Sequence, residues 1–128
     1  MRPNLHIDDV CDVYVNALRW PSEAINGKTY NAGYQNHTIM QLAEIVREVV
    51  GKQVEVVTVP TDDHRSYHIS SERIRRELGF EPKRTVQDAV RDLNRAFAEG
   101  LVPNPMDNKL YYNIKTMQSQ ASQLKAIG

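Results

Sequence analysis

The chain has 128 residues, with sixteen Lys or Arg balanced by sixteen Asp or Glu. A formal net charge of zero removes bulk electrostatic attraction to nucleic acid or to an anionic membrane surface. The 41% hydrophobic and 25% charged content is that of a single soluble globular domain with a modest core. No apolar run approaches the roughly 18 residues of a membrane span, and the polar start at Met1-Arg2-Pro3-Asn4 lacks a signal peptide's apolar stretch. The lone cysteine, Cys11, falls in an apolar helical pattern and has no internal disulfide partner, so a reducing, cytoplasmic setting is expected.

In chain order, Asn4 to Ile7 reads as one short strand. Asp8 or Asp9 is then placed to cap a helix packed through Val10, Val13, Tyr14 and Leu18, which Pro21 stops at Trp20. Ser22 to Gly27 reads as loop, and Lys28 to Gly33 as a short strand ending in a turn. Thr38-Ile39-Met40-Gln41 has the spacing of a capping box. Ile39, Leu42, Ile45, Val46 and Val49 follow at helical intervals until Gly51. Gln53 to Val59 alternates and is rich in valine, which predicts a strand ending at Pro60. After a polar loop from Thr61 to Ser66 and an extended stretch at Tyr67 to Ile69, Ser70 or Ser71 caps a short helix through Ile74 and Leu78, closed by Gly79. Thr85 and Asp88 open a longer helix through Val86, Ala89, Val90, Leu93 and Phe97, ending at Gly100. Residues from Pro103 onward are weakly patterned.

This order predicts an α/β fold of mixed short strands and about four helices, with too few strands for a complete doubly wound sheet. The six glycines are too scattered for a dinucleotide-binding fingerprint, which needs three within six residues for a tight turn against the pyrophosphate.

Five segments in order suggest a family. They are Arg2-x-x-Leu5-His6-Ile7-Asp8-Asp9-Val10, Gly27-x-x-Tyr30-Asn31-x-Gly33, Thr38-Ile39-x-x-Leu42-Ala43, Ser71-x-x-Ile74-x-x-Glu77-Leu78-Gly79-Phe80 and Thr85-Val86-x-Asp88-Ala89. Together they resemble the C-terminal portion of extended short-chain dehydrogenase/reductases (SDRs), and within that group the nucleotide-sugar epimerases and dehydratases. The resemblance implies that residues 1–102 are the substrate-binding C-terminal region of such an enzyme, lacking most of the Rossmann domain, with 103–128 as a tail. It implies NAD or NADP in the complete enzyme but none bound by this chain alone. The implied partners are a nucleotide-diphosphate sugar and the Rossmann domain, with room for a homo-oligomer; nucleic acid and membrane are not implied.

Arg2 matches the arginine that in this family contacts the substrate's phosphates, a role suited to a rigid, permanently charged fork of donors. Without the resemblance it is a solvated terminal residue. Thr38 is a helix cap, and the same position in the family lies against the diphosphate, where free N–H groups favour an anion. Asn36, with His37, extends that polar wall. Arg65 follows Asp62-Asp63-His64 where relatives carry an arginine-rich clamp; it either takes the phosphate contact or pairs with Asp62 or Asp63. The substrate-binding candidates are therefore Arg2, Asn36, Thr38 and Arg65.

No catalytic, cofactor-binding or metal residue is assigned. Tyr111 and Lys115 have the Tyr-x-x-x-Lys spacing of the family's catalytic pair, but that pair lies upstream of the segments matched here, so the spacing is assigned to chance. Asp62, Asp63, His64 and His68 are loop residues without a fixed ligand geometry. Arg73, Arg75 and Arg76 sit beside Glu72 and Glu77 and predict a charge-paired surface. Two functions are compatible with these residues: the diphosphate-gripping part of an epimerase, dehydratase or reductase, or a stand-alone module that binds a nucleotide or a protein without catalysis.

Overall fold

The computed structural model describes residues 1–62 and 66–118. It is a small mixed α/β protein. Strands β1 (Arg2–Asn4) and β2 (Gln35–His37) pair antiparallel, with Arg2 opposite His37, Pro3 opposite Asn36 and Asn4 opposite Gln35. The helices are α1 (Ile7–Ala17), α2 (Ser22–Ile25), α3 (Ile39–Val50), α4 (Glu72–Leu78) and α5 (Val86–Ala98). A 3-10 turn at Lys109–Tyr111 and a helical stretch at 113–118 follow. The chain divides into two compact units, Met1–Asn94 and Arg95–Gly128, with the boundary inside α5.

Local chemistry sets the helix ends. The Thr38 hydroxyl accepts the Gln41 N–H at 3.1 Å while the Gln41 side chain accepts the Thr38 N–H at 2.8 Å, a complete capping box for α3. Gly79 ends α4 at φ 67°, the left-handed region where a Cβ is costly. Asp88 accepts the Thr85 N–H at 2.8 Å and the Thr85 hydroxyl at 2.6 Å, fixing the first turn of α5.

The strands differ from expectation. The first lies at Arg2–Asn4 rather than at residues 4–7, because His6 is already the cap of α1: its Nδ1 accepts the Asp8 N–H at 3.2 Å. Neither Asp8 nor Asp9 caps that helix. Residues 28–33 form no strand, because both backbone groups of Gly33 bond the Ser71 hydroxyl at 2.8 Å instead of a neighbouring strand. Residues 53–59 form none either. The alternating valines lack a paired neighbour among the described residues, and Val57 and Val59 are exposed. Residues 22–25, expected as loop, make the single turn α2.

Within the first unit the buried hydrophobic side chains are Ile45 of α3, Ile74 of α4, Phe80 and Val90 of α5, with Trp20 edge-on to Phe80 at 6.5 Å. That is a small core for the helices around it. The anticipated apolar face of α1 is turned outward in part: Tyr14 and Leu18 are exposed, and so is Cys11, which therefore does not act as a small core residue.

Candidate functional site

The β1–β2 register decides which expected residues meet. Directly opposed residues in an antiparallel pair project from the same face, so Arg2 and His37 stand side by side, and Thr38 follows at the head of α3. A guanidinium, an imidazole and a helix N-terminus are thus brought to one end of the ribbon. The Arg2 guanidinium sits 5.9 Å from the centre of the Tyr67 ring, and Tyr67 is tied back by its N–H to the Met1 carbonyl at 3.2 Å. Thr38 is exposed, and its hydroxyl is already engaged as the α3 cap. The His37 Nε2 atom is buried and has no hydrogen-bond partner among the described residues. A polar atom in that state ordinarily answers to something bound or to ordered water.

Asn36 makes a structural contact that the sequence did not announce. It is opposite Pro3, one residue out of phase with Arg2, and its amide donates to the Ile69 carbonyl and accepts the Ile69 N–H, each at 3.1 Å. The side chain stands in for a ladder residue and fastens the 66–69 segment to the ribbon. Arg65 lies outside the described residues, as do Asp63 and His64.

A second cluster was missed by sequence reasoning. Asp9 is 1% exposed, and its carboxylate accepts the backbone N–H groups of Lys83 and Arg84 at 3.1 and 3.0 Å and Nη1 of Arg84 at 2.6 Å. Arg84 also reaches Asp12 at 3.2 Å and Asp8 at 3.4 Å. Hydrogen bonds donated to Asp12 and then to Asp9 push the Arg84 guanidinium above its ordinary pKa. The signal was present as a surplus: two adjacent aspartates at one helix start, where a cap needs one.

His6, also buried, borders this network. Its Nε2 lies 3.3 Å from an Asp92 carboxylate oxygen, and its ring with Asp8 and Asp92 gathers three ligand-type atoms within 4.8 Å. The chemistry of the ring argues against a metal there. Nδ1 accepts the Asp8 N–H, so the proton of the neutral ring sits on Nε2, directed at Asp92. No lone pair is left for an ion unless the α1 cap breaks, and Arg84 already supplies positive charge to Asp8. The cluster is a satisfied structural network. Beside it lies a cleft of about 250 Å³ lined in part by Asn4, His6, Tyr34, Gln35, Arg84 and Thr85; Arg2, Asn36 and Thr38 do not line it.

Other charged groups pair on the surface. Arg73 bonds Glu77 at 3.1 Å and stacks 4.9 Å over Tyr30, whose hydroxyl donates to Glu77 at 2.9 Å. That hydroxyl, and then Arg73, hold the Glu77 carboxyl below its usual range. Arg75 pairs with Glu72, and Arg47 with Glu44 at 3.0 Å. Tyr111 is exposed, while the Lys115 ammonium lies 3.9 Å over the ring of the next tyrosine, Tyr112. No family model, curated protein or solved structure matches the chain.

Proposed function

We propose that this chain is the substrate-side region of an NAD(P)-dependent nucleotide-sugar epimerase, dehydratase or reductase of the extended SDR kind, holding the diphosphate of a nucleotide sugar. The observation that carries the reading is the placement of Arg2 in register with His37, next to Thr38 at the head of α3. A helix start offers free N–H groups and the positive end of its dipole, and guanidinium adds paired donors; both suit a diphosphate and neither suits a neutral ligand. Further support comes from how the resembling segments are joined: Gly33 to Ser71 and Tyr30 to Glu77, with Asp9 bonded to Lys83 and Arg84 just before the Thr85 segment. These links give the spaced residues reasons to occur together. In such an enzyme the dinucleotide-binding domain supplies hydride chemistry, and the diphosphate grip orients the sugar against it.

The test is calorimetric titration of the full chain with UDP, GDP and dTDP. Arg2→Ala should weaken the nucleoside diphosphate that binds by about ten-fold or more, the usual effect of losing a charge-assisted bond. Unchanged affinity in that variant removes the proposed role.

A second reading, a non-catalytic binding module, is favoured by one observation. Tyr14, Val15 and Leu18 of the α1 segment are exposed, a surface that suits a protein partner. Light scattering with and without nucleotide separates this from the first reading: a chain that binds nucleoside diphosphate in any oligomeric state supports the first, and a partner-dependent species without nucleotide affinity supports a protein-binding module.

A further inference from the structure

The cleft beside the Asp9–Arg84 network is lined by two amides that the fold uses only in part. Asn4 and Gln35 stand opposite each other in the β1–β2 register, both half-buried. The Asn4 Nδ2 donates to the carbonyls of Arg2 and Gln35 at 2.8 and 3.3 Å. Those two bonds fix the amide's orientation and leave Oδ1 as an acceptor with no partner among the described residues. The Gln35 Oε1 accepts the Val86 N–H at 3.0 Å, which leaves Nε2 as a donor in the same state. Neither atom is among the buried partnerless ones, which in the described residues are His37 Nε2 and Gln87 Oε1, so both stay open to a ligand. His6 and Arg84 also line the cleft but are spent: His6 caps α1 and faces Asp92, and Arg84 is held by Asp8, Asp9 and Asp12. Leu5, Val86 and Ala89 add apolar lining, and exposed Tyr34 adds an aromatic side chain.

We infer that this cleft is a subsite for a pyrimidine base. An acceptor beside a donor, each held in one orientation, matches a ring edge that carries a donor next to an acceptor, such as the N–H and C=O of uracil. The charged groups around it are neutralised by one another, so the cleft suits an uncharged ring, and Tyr34 offers a surface on which a base can stack. Its volume of about 250 Å³ lies below the roughly 300–1,000 Å³ of sites for drug-sized ligands, which favours one ring over a fused purine. The inference rests on the diphosphate reading above, which sets where a base can lie. Side chains two apart on a strand share a face, so Asn4 and Gln35 continue the face that carries Arg2 and His37. Arg2 and Asn4 are about 7 Å apart along β1, the scale on which a ribose separates a 5′-phosphate from its base.

Calorimetry of the full chain with UDP, ADP and inorganic pyrophosphate tests the inference, together with a uridine titration that follows the side-chain amide signals of Asn4 and Gln35 in nitrogen–proton correlation spectra. UDP should bind about ten-fold or more tightly than pyrophosphate, ADP should lack that advantage, and uridine alone should move both amide signals. Gln35→Glu keeps an acceptor for the Val86 N–H but turns the free donor into an acceptor, and Ala89→Leu narrows the cleft without touching Arg2. Each should erase the advantage of UDP over pyrophosphate, a ratio in which the added carboxylate's repulsion of phosphate cancels. If Gln35→Glu does not fold by circular dichroism, Ala89→Leu and the uridine titration of the unaltered chain still decide. Equal affinity for UDP and pyrophosphate, with amide signals that uridine leaves in place, overturns the base subsite and leaves the diphosphate reading standing. ADP binding as tightly as UDP overturns the assignment to a pyrimidine. Uridine shifts without pyrophosphate binding keep the subsite and remove the diphosphate grip, and failure of both ligands overturns both.

Discussion

Replacing Asp9 by alanine probes the link on which the first unit depends. The carboxylate is 1% exposed and receives three donors: two backbone N–H groups from residues 83 and 84 and the Arg84 guanidinium. Truncation leaves those two N–H groups without the acceptor they have in the fold, at up to about 1–3 kcal/mol each, or roughly 2–6 kcal/mol together. A unit of this size has about 5–14 kcal/mol of stability in all. With so few buried apolar side chains, it belongs at the lower end. Asp9→Ala should therefore lower the urea midpoint by a third or more, or prevent folding at physiological temperature. Arg84→Met supplies the discriminating control, because it leaves the two backbone bonds to Asp9 intact and should be milder. Urea unfolding of both variants at neutral pH, followed by circular dichroism, measures the order. An Asp9→Ala loss below about 1 kcal/mol refutes the reasoning, as does an Arg84→Met variant less stable than Asp9→Ala.

Three other perturbations follow from the same geometry. A Cβ on Gly33 would lie 2.6 Å from Cδ1 and 3.0 Å from Cγ1 of Ile69, so Gly33→Ala should cost about 1–3 kcal/mol by thermal melting, and adding Ile69→Val, which removes Cδ1, should restore part of it. Thr38→Ala should lose about 1 kcal/mol of stability with the α3 cap, while Thr38→Ser keeps it; if diphosphate is gripped at the helix head, Thr38→Ser also keeps nucleotide affinity by calorimetry. Glu72, Glu77 and Asp88 are all held below their usual pKa, by hydrogen bonds led respectively by Arg75, Tyr30 and Thr85. Their folded values lie below their unfolded ones, so the stability they lend is full above about pH 4–5 and is lost as pH falls through the lower folded values. Asp88→Asn should flatten that acid limb in urea midpoints measured across pH.

What was legible in the sequence was chemistry acting within one turn. The Thr38–Gln41 box, the Thr85–Asp88 start and the left-handed Gly79 stop each involve residues no more than a few positions apart, and each stands where the spacing placed it. What was not legible depends on partners far along the chain. Asp9 and Arg84 are 75 residues apart, Gly33 and Ser71 are 38 apart, and nothing local to either member announces the other. Strand β2 is the plainest case. Gln35-Asn36-His37 has no apolar alternation to read, yet it pairs with β1, while the Gln35 side chain accepts the Val86 N–H at 3.0 Å and Asn36 fastens Ile69. The valine alternation at 53–59 shows the converse, since a β-branched pattern describes a surface suited to a neighbouring strand and does not supply the neighbour.

The same contrast bears on the proposed site. A polar residue before a helix start reads identically whether it faces a ligand or bonds the backbone of a distant loop. For Asn36 the geometry gives the second role, with donor and acceptor both taken by Ile69. Among the described residues, a grip on a diphosphate at this end of the ribbon then falls on Arg2, on the Thr38 helix head and on His37 Nε2 beside them in the register. That narrows the experiment. If Arg2→Ala and an Asn36→Ala variant weaken nucleotide equally, and Asn36→Ala also lowers the melting temperature, the loss reports the ribbon coming apart. Selective loss in Arg2→Ala, with stability unchanged, reports a contact with phosphate.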